Sequence, residues 1–147
     1  MGVASFVTRD GGAVYEWLND TIRVRLGGVD TDGLYTLTED RMKPSFSLGM
    51  HVHKSHAETF HILEGEVEFQ LDGRIVVAAA GTSVHVPANV PHAARVANGL
   101  PAHMLMLYAP AGFEDFLARM KDLTPGNFAD RAFMKAFNEG FDLFELD

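Results

Sequence analysis

Short runs in which apolar and polar residues alternate, separated by glycine, proline and aspartate, make up most of the chain before residue 110. In the first run Ile22, Val24 and Leu26 alternate with threonine and arginine, which is typical of a strand with one buried face. The dipeptide Asp72-Gly73 between two such runs predicts a tight hairpin turn. The runs predict strands at residues 21–26, 34–39, 45–52, 59–63, 67–71, 74–78, 84–86, 93–96 and 103–108. Short strands joined by turns favour an all-β fold, built as an antiparallel sandwich or barrel.

Beyond Pro110 the apolar residues take up the spacing of a helix. One face of a first predicted helix carries Phe113, Phe116, Leu117 and Met120. Thr124-Pro125-Gly126 ends this helix, and Asn127 is a suitable N-cap for a second one. The apolar stripe of the second helix comprises Phe133, Phe137, Phe141 and Phe144. We expect a barrel of residues 1–110 and a helical extension of residues 111–147 that packs on the barrel or at a dimer interface; a lid over a pocket mouth is the alternative.

Composition restricts the class of protein further. A chain of 147 residues that is 47% hydrophobic is long enough for one globular domain with a buried core. Its formal net charge of −8 disfavours binding to nucleic acid or anionic lipid. The first residues do not resemble a secretory signal and no apolar run approaches about 18 residues, so we expect a cytoplasmic protein without a membrane segment. Because the chain has no cysteine, any metal must be bound by histidine, aspartate or glutamate.

Residues 51–65 hold four of the seven histidines together with a glutamate. His51 and His53 lie two residues apart and would share one face of a strand. We expect a hairpin to bring Glu58 beside them, and the stiff turn that precedes His92 to present this histidine as a further ligand. Three imidazoles and one carboxylate predict a metal site that faces the barrel interior. The alternative is a metal-free pocket in which the four side chains hydrogen-bond to one another.

Two segments resemble the two sequence motifs of the cupin superfamily. GMHVHKSHAETFHILEG, residues 49–65, is similar to the first motif, in which HxH is followed after four residues by Glu and after six more by Gly. GTSVHVPANVPH, residues 81–92, is similar to the second motif. Asn89 replaces the usual glycine, but asparagine tolerates a left-handed backbone, and Val96 replaces an asparagine that is often found there. YAPAGFEDFLARM, residues 108–120, resembles the tail of single-domain, RmlC-like cupins that are often described as quercetin dioxygenase-like.

The resemblance implies an antiparallel double-stranded β-helix, or jelly-roll barrel. It also implies one divalent first-row transition metal, and iron, manganese, nickel, cobalt, copper and zinc all suit such a ligand set. Glu58 would further act as a catalytic base that takes a proton from a substrate hydroxyl. Small cupins usually pair, so we also expect a homodimer. The implied metal ligands are His51, His53, Glu58 and His92.

Three functions are open to such a site. The first, which we favour, is a metal-dependent dioxygenase that acts on a small aromatic or enolic, flavonol-like compound. The second is a non-redox cyclase, isomerase or decarboxylase that uses the metal as a Lewis acid. The third is a cupin that binds a metal or a small molecule without catalysis. Fold alone does not decide between them.

The remaining histidines are not assigned to the metal site. We expect His56 to face solvent, or the pocket mouth as the alternative. His61 should lie on the strand face opposite Glu58, packed between sheets or at a dimer interface. His85 and His103 are expected to be ordinary strand histidines, with His85 a weak candidate to support the ligands. The apolar residues expected to line the barrel are Phe46, Leu48, Phe60, Ile62, Phe69, Val84 and Val86.

Overall fold

A computed structural model describes residues 2–147 and contains two antiparallel β-sheets. The first sheet contains, in spatial order, β1 (Val14–Glu16), β2 (Asp20–Leu26), β3 (Thr36–Met42), β10 (Ala102–Ala109), β5 (Ala57–Glu64) and β8 (Ser83–Val86). The second sheet contains β11 (Phe144–Glu145), β4 (Ser47–Val52), β9 (His92–Val96), β6 (Glu66–Leu71) and β7 (Arg74–Ala79). The chain crosses repeatedly between the sheets, as in a jelly roll, so the predicted all-β fold class is confirmed.

The inner faces of the two sheets enclose the hydrophobic core. β10 pairs with both β3 and β5, and every second one of its residues is buried. Phe60 of the first sheet packs on Phe69 of the second sheet, with ring centroids 5.1 Å apart. All but one of the residues expected to line the barrel are buried, and the exception is Leu48, which is 48% exposed. The period-two pattern therefore identified the inner face correctly, because alternate side chains of a strand point to opposite sides.

Three helices follow the barrel, where the apolar stripes predicted two. They are α1 (Phe113–Lys121), α2 (Pro125–Ala129) and α3 (Arg131–Gly140). Thr124 caps α2 in a reciprocal pair with Asn127, so Asn127 lies inside this helix and not at its start. Asp130 has an extended backbone, and its side chain accepts a hydrogen bond from Phe133 N at 3.0 Å, which begins a separate helix. None of the three helices has the length and apolar composition needed to cross a membrane.

The first helix, α1, is held on the barrel by apolar packing and by hydrogen bonds. Leu117 is fully buried in a cluster that includes Ile22 of β2. At the N-terminal end of α1, the Glu114 carboxylate accepts a hydrogen bond from Gly28 N at 2.7 Å and another from Thr36 Oγ1. The helix therefore closes over the loop and strands of the first sheet, which makes it part of the wall of the interior.

Two short edge strands, β1 and β11, were not predicted, because two or three residues are too few for an alternation to be detected. β11 pairs with β4, with Phe144 opposite Val52 and Glu145 opposite His51. Phe141 is the C-cap of α3, so the predicted second helical stripe extends past the end of that helix. The pairing brings the C-terminal segment to the strand that carries His51.

Gly65, between β5 and β6, is expected not to tolerate a side chain. Its φ is 78°, and a Cβ there would lie 2.5 Å from the carbonyl oxygen of Pro101. Gly73 has a similar φ of 73° but open space around it. We expect Gly73→Ala to lower the free energy of unfolding by about 1–2 kcal/mol through backbone strain alone. Gly65→Ala should lower it by at least a further ~1 kcal/mol through the steric clash. Urea unfolding measures both losses, and equal losses would contradict the clash.

Candidate metal centre

Four buried side chains converge in the barrel interior, and they are the four ligands expected from the sequence. One ligand atom of each lies within 4.8 Å of those of the others. Ligand bonds of about 2 Å place two ligand atoms up to about 4 Å apart, so modest adjustment would let all four surround one ion. We call this group the histidine–glutamate cluster, which consists of His51, His53, Glu58 and His92.

Both sheets contribute to the cluster. His51 in β4 lies directly opposite His92, the first residue of β9, in the second sheet. Glu58 belongs to β5 in the first sheet, and His53 follows the end of β4. The predicted hairpin between β4 and β5 is therefore wrong, because residues 53–56 cross from one sheet to the other. Glu58 meets the imidazoles from a different wall, which lets the four side chains enclose a point.

The turn before His92 is fastened to the segment that carries His53. Asn89 has a φ of 67°, the left-handed backbone that its asparagine was expected to tolerate. Its backbone N–H donates to the carbonyl oxygen of His53 at 2.7 Å, and its side-chain amide donates to that of Lys54 at 3.2 Å. These bonds fix the two ligand-bearing segments relative to one another.

Each imidazole of the cluster is oriented by a hydrogen bond from Nδ1 to a backbone carbonyl. The acceptors are Gly49 for His51 (2.8 Å), Asp142 for His53 (2.7 Å) and Val90 for His92 (3.0 Å). A carbonyl oxygen can only accept, so Nδ1 carries the proton, and in the neutral ring Nε2 carries a lone pair. The Nε2 atoms of His53 and His92 lie 2.5 Å and 3.2 Å from Glu58 Oε1. Lone pairs and a carboxylate oxygen this close repel unless a proton or a cation lies between them, so the donor set fits a metal ion.

The charges within the cluster follow from burial and from its internal hydrogen bonds. Burial raises the pKa of Glu58, but His53 and His92, when a proton on Nε2 lets them donate hydrogen bonds and carry positive charge, outweigh it and lower the pKa to about 2. Burial lowers the pKa of His51. For His53, burial is outweighed by the hydrogen bond and the charge of Glu58, which raise the pKa. Glu58 is therefore a carboxylate at neutral pH, the form that binds a metal ion.

Asp142 joins the C-terminal segment to the cluster, and sequence reasoning missed it. While its backbone oxygen orients His53, its side chain accepts hydrogen bonds from Lys54 N and Ser55 N, both at 2.9 Å. The same carboxylate bonds to Nδ1 of His56 at 2.6 Å. Burial raises the pKa of Asp142, but these hydrogen bonds lower it below its ordinary value. Asp142 lies two residues beyond the last helix with a left-handed φ of 61°, which the structure shows but no sequence pattern indicated.

A cavity of about 340 Å³ lies against the cluster. Its apolar wall includes Phe46, Phe60, Met104, Met106, Phe113 and Leu117. The wall also contains four polar residues outside the cluster, Trp17, Asn19, Asp20 and Asp40. A concave, mostly apolar space with a few polar groups is the usual form of a small-molecule site.

Asp20 of β2 and Asp40 of β3 form a buried acid pair. Their exposed fractions are 5% and 4%, and Asp40 accepts a hydrogen bond from Thr38 Oγ1 at 2.9 Å. Burial, the charge of Asp40 and a hydrogen bond between the carboxyl groups raise the pKa of Asp20 to about 9. Burial raises the pKa of Asp40 to about 6. The pair therefore keeps a proton at neutral pH. Both residues lie just outside the predicted strands 21–26 and 34–39, so their inward direction was not predicted.

The remaining four histidines lie outside the cluster. His56 is half-buried beside it and does not face open solvent. His61 points away from the cavity, as predicted, but it lies on the outer face of β5 and bonds to Ser83 Oγ at 2.7 Å, so its expected place between the sheets is wrong. His85 and His103 bond to side chains of neighbouring strands. None of these four positions supplies a further ligand to the cluster.

Comparison with known proteins adds a family match. Residues 39–108 match the family Cupin_2, described as a cupin domain. Over 101 residues the chain is 31% identical to a quercetin 2,3-dioxygenase of Bacillus subtilis (strain 168), which covers 67% of this chain. The match extends over 29% of the dioxygenase, so this chain spans less than a third of that protein.

Several solved structures share the fold. KdgF from Halomonas sp. superposes with a TM-score of 0.66 at 14% identity, covering 76% of this chain and 99% of that one. An RmlC-like cupin from Shewanella frigidimarina NCIMB 400 gives 0.65 at 21% identity, with 78% and 96% covered. The nucleoside dehydratase Pac13 gives 0.61 at 17% identity, with 77% and 88% covered. At these identities the similarity shows the architecture alone.

Asp142→Ala is expected to weaken metal binding by about 10–100-fold. The substitution removes the three hydrogen bonds that hold residues 54–56 against the segment whose carbonyl orients His53. Competition with a chromophoric chelator measures the affinity. Asp122→Ala removes the same charge from an exposed helix end and should leave the affinity unchanged. Equal affinities for both variants would show that the C-terminal contact does not position the ligand.

Asp20→Asn is expected to flatten the pH dependence of stability above about pH 6. The folded pKa of Asp20, about 9, lies above its ordinary value of 3.8, so between these values the folded chain binds more protons than the unfolded chain. The free energy of unfolding of the wild type therefore falls as the pH rises through this range, with Asp40 contributing up to about pH 6. Urea unfolding at several pH values compares the slopes. A variant slope as steep as that of the wild type would contradict the assignment.

Proposed function

We propose that this chain, a member of the cupin superfamily, is a metal-dependent enzyme that acts on a small molecule within the barrel. The observation that carries this proposal is the common orientation of the three imidazoles. Each has Nδ1 bonded to a backbone carbonyl, which leaves Nε2 for a metal, and Glu58 adds a carboxylate beside an apolar cavity.

The four residues of the histidine–glutamate cluster would hold one divalent first-row transition ion. A mixed set of three imidazoles and one carboxylate suits iron, manganese, nickel, cobalt, copper or zinc, and contains too much nitrogen for calcium. The bound ion would supply Lewis-acid chemistry and, with a redox-active metal, reaction with dioxygen. Four protein ligands leave room for a substrate to approach from the cavity side.

The residues of the chain would bind the substrate and move its proton. The phenylalanine and methionine side chains of the cavity exclude water and pack against a flat, apolar molecule. Glu58 is ionised at neutral pH and lines the same cavity, so it is placed to take a proton from a substrate hydroxyl. Glu58 is thus proposed both as a ligand and as the catalytic base.

As the finer function we propose a dioxygenase of a small aromatic or enolic, flavonol-like compound. The similarity to a quercetin 2,3-dioxygenase supports this choice, although only part of that protein is matched. The apolar cavity beside the cluster is consistent with an aromatic ligand.

His53→Ala is expected to abolish stoichiometric metal binding, because it removes one of the Nε2 donors. Elemental analysis of protein purified without chelator should find about one ion per chain in the wild type and less than about a tenth of that in the variant. His61→Ala is the matched control, since it removes an imidazole from the outer face of β5. A full complement of metal in His53→Ala would contradict the site.

Oxygen uptake then tests the reaction. The protein is loaded without air with iron, manganese, nickel or copper and mixed with a flavonol or a catechol. Consumption of oxygen that depends on His53 is expected. The dioxygenase proposal fails if none of these metals supports uptake. Turnover without oxygen would instead indicate non-redox chemistry, and binding without turnover would indicate a binding protein.

A further inference from the structure

Two buried polar atoms in the cavity wall have no hydrogen-bond partner among residues 2–147. They are the indole Nε1 of Trp17 and Oδ1 of Asp20. A buried polar atom without a partner destabilises the fold, and native structures contain few of them. Asp20 is only 5% exposed. Burying its carboxyl group next to that of Asp40 destabilises the fold further. Packing alone gives no reason for this arrangement, and both residues line the cavity.

This polar region lies farther along the sheet than the histidine–glutamate cluster, although the charge of Glu58 still contributes to the raised pKa of Asp40. Tyr108 of β10 pairs with Glu58 on one side and with Thr36 on the other, whereas Asp40 pairs with Met104. Asp40 is therefore four residues farther along the sheet than Glu58, which corresponds to about 13 Å of strand. The cavity is lined by both regions, so one ligand can contact both.

The hydrogen-bonding groups in this region complement a hydroxyl group. An indole N–H can only donate, whereas Asp20 Oδ1 is a free oxygen of an acid pair that retains a proton. A hydroxyl oxygen could accept from Trp17 while its hydrogen is donated to Asp20. A carboxylate or phosphate would face two acidic side chains and would be repelled.

We propose that Trp17, Asp20 and Asp40 form a second polar anchor in the cavity, which binds a hydroxyl group of an uncharged aromatic ligand whose other end reaches the histidine–glutamate cluster. Trp17 and Asp20 contact the hydroxyl directly, and Asp40 positions Asp20. This inference rests on the proposed function in taking the cavity as the substrate site, and it adds the substrate class: a neutral, flat molecule with oxygen groups at both ends.

Three flavonols that differ at one position test the anchor. They are 3-hydroxyflavone, 3,4′-dihydroxyflavone and the 4′-carboxylate of 3-hydroxyflavone. Calorimetric titration of the zinc-loaded protein measures their affinities without oxidation of the ligand. Trp17 is the single tryptophan of the chain, so quenching of its fluorescence reports independently that a ligand occupies the cavity.

The wild type is expected to bind the dihydroxyflavone about tenfold more tightly than 3-hydroxyflavone, and to bind the carboxylate most weakly. Trp17→Phe keeps an aromatic ring but removes the indole N–H donor. Asp20→Leu removes the carboxyl acceptor and keeps a side chain of similar size. Each variant should bind 3,4′-dihydroxyflavone and 3-hydroxyflavone with about equal affinity. Tyr15→Phe is the matched control, since Tyr15 stacks beside Trp17 but does not line the cavity, and it should keep the preference.

Thermal unfolding distinguishes a loss of preference caused by misfolding from a loss caused by the missing hydrogen-bonding group. Asp20→Leu removes a buried acid, so its unfolding midpoint should be at least that of the wild type while the preference is lost. The proposal is overturned if the wild type shows no preference for the hydroxyl, binds none of the three compounds, or binds the carboxylate best. It is also overturned if Trp17→Phe and Asp20→Leu keep the preference.

The same titrations on metal-free protein separate this proposal from the proposed function. If elemental analysis finds no metal site, the proposed function fails, but a tenfold hydroxyl preference that disappears in Trp17→Phe would still support the anchor. If metal binds and the preference is absent, the anchor fails and the metal centre stands.

Discussion

The candidate site depends on three hydrogen bonds that join imidazole Nδ1 atoms to backbone carbonyls. They decide which nitrogen of each ring is protonated and leave the other with a lone pair, and in His53 and His92 that other nitrogen faces Glu58. Without them, three neighbouring rings could rotate to satisfy one another and the interior would contain an ordinary polar cluster. Because the acceptors belong to the backbone, the orientation of the rings is set by the path of the chain and not by exchangeable side chains.

The two sheets of the barrel set that path, and each sheet contributes different side chains to the interior. The second sheet presents two imidazoles on paired strands, while the first sheet presents the carboxylate and, farther along, the acid pair. The apolar side chains between these polar regions exclude water, which strengthens electrostatic interactions at both. The interior thus has the histidine–glutamate cluster near one end and an acid pair that retains one proton near the other, and this asymmetry would orient a ligand before any reaction.

The parts of this arrangement that could be predicted are those encoded by local spacing. Alternation located the strands of both sheets except the short edge strands β1 and β11, and the spacing within residues 49–65 and 81–92 identified all four members of the cluster. Local spacing could not say that Glu58 approaches from the other sheet, because a hairpin and a crossover look alike over four residues. It also placed one helix start at Asn127, whereas Thr124 caps α2 and Asp130 caps α3, each with its side chain. The roles of Asp142 and Trp17 depend on contacts between distant parts of the chain, which no periodic pattern records.

The bond between His53 and Asp142 joins residues that are 89 positions apart. When both motif segments have emerged from the ribosome during synthesis, Asp142, whose carbonyl oxygen accepts the hydrogen bond of His53, has not yet been made. That ring stays free to turn until the segment after α3 has emerged and β11 has docked on β4. The order of translation therefore delays the finished arrangement of donors until nearly all of these residues have been made.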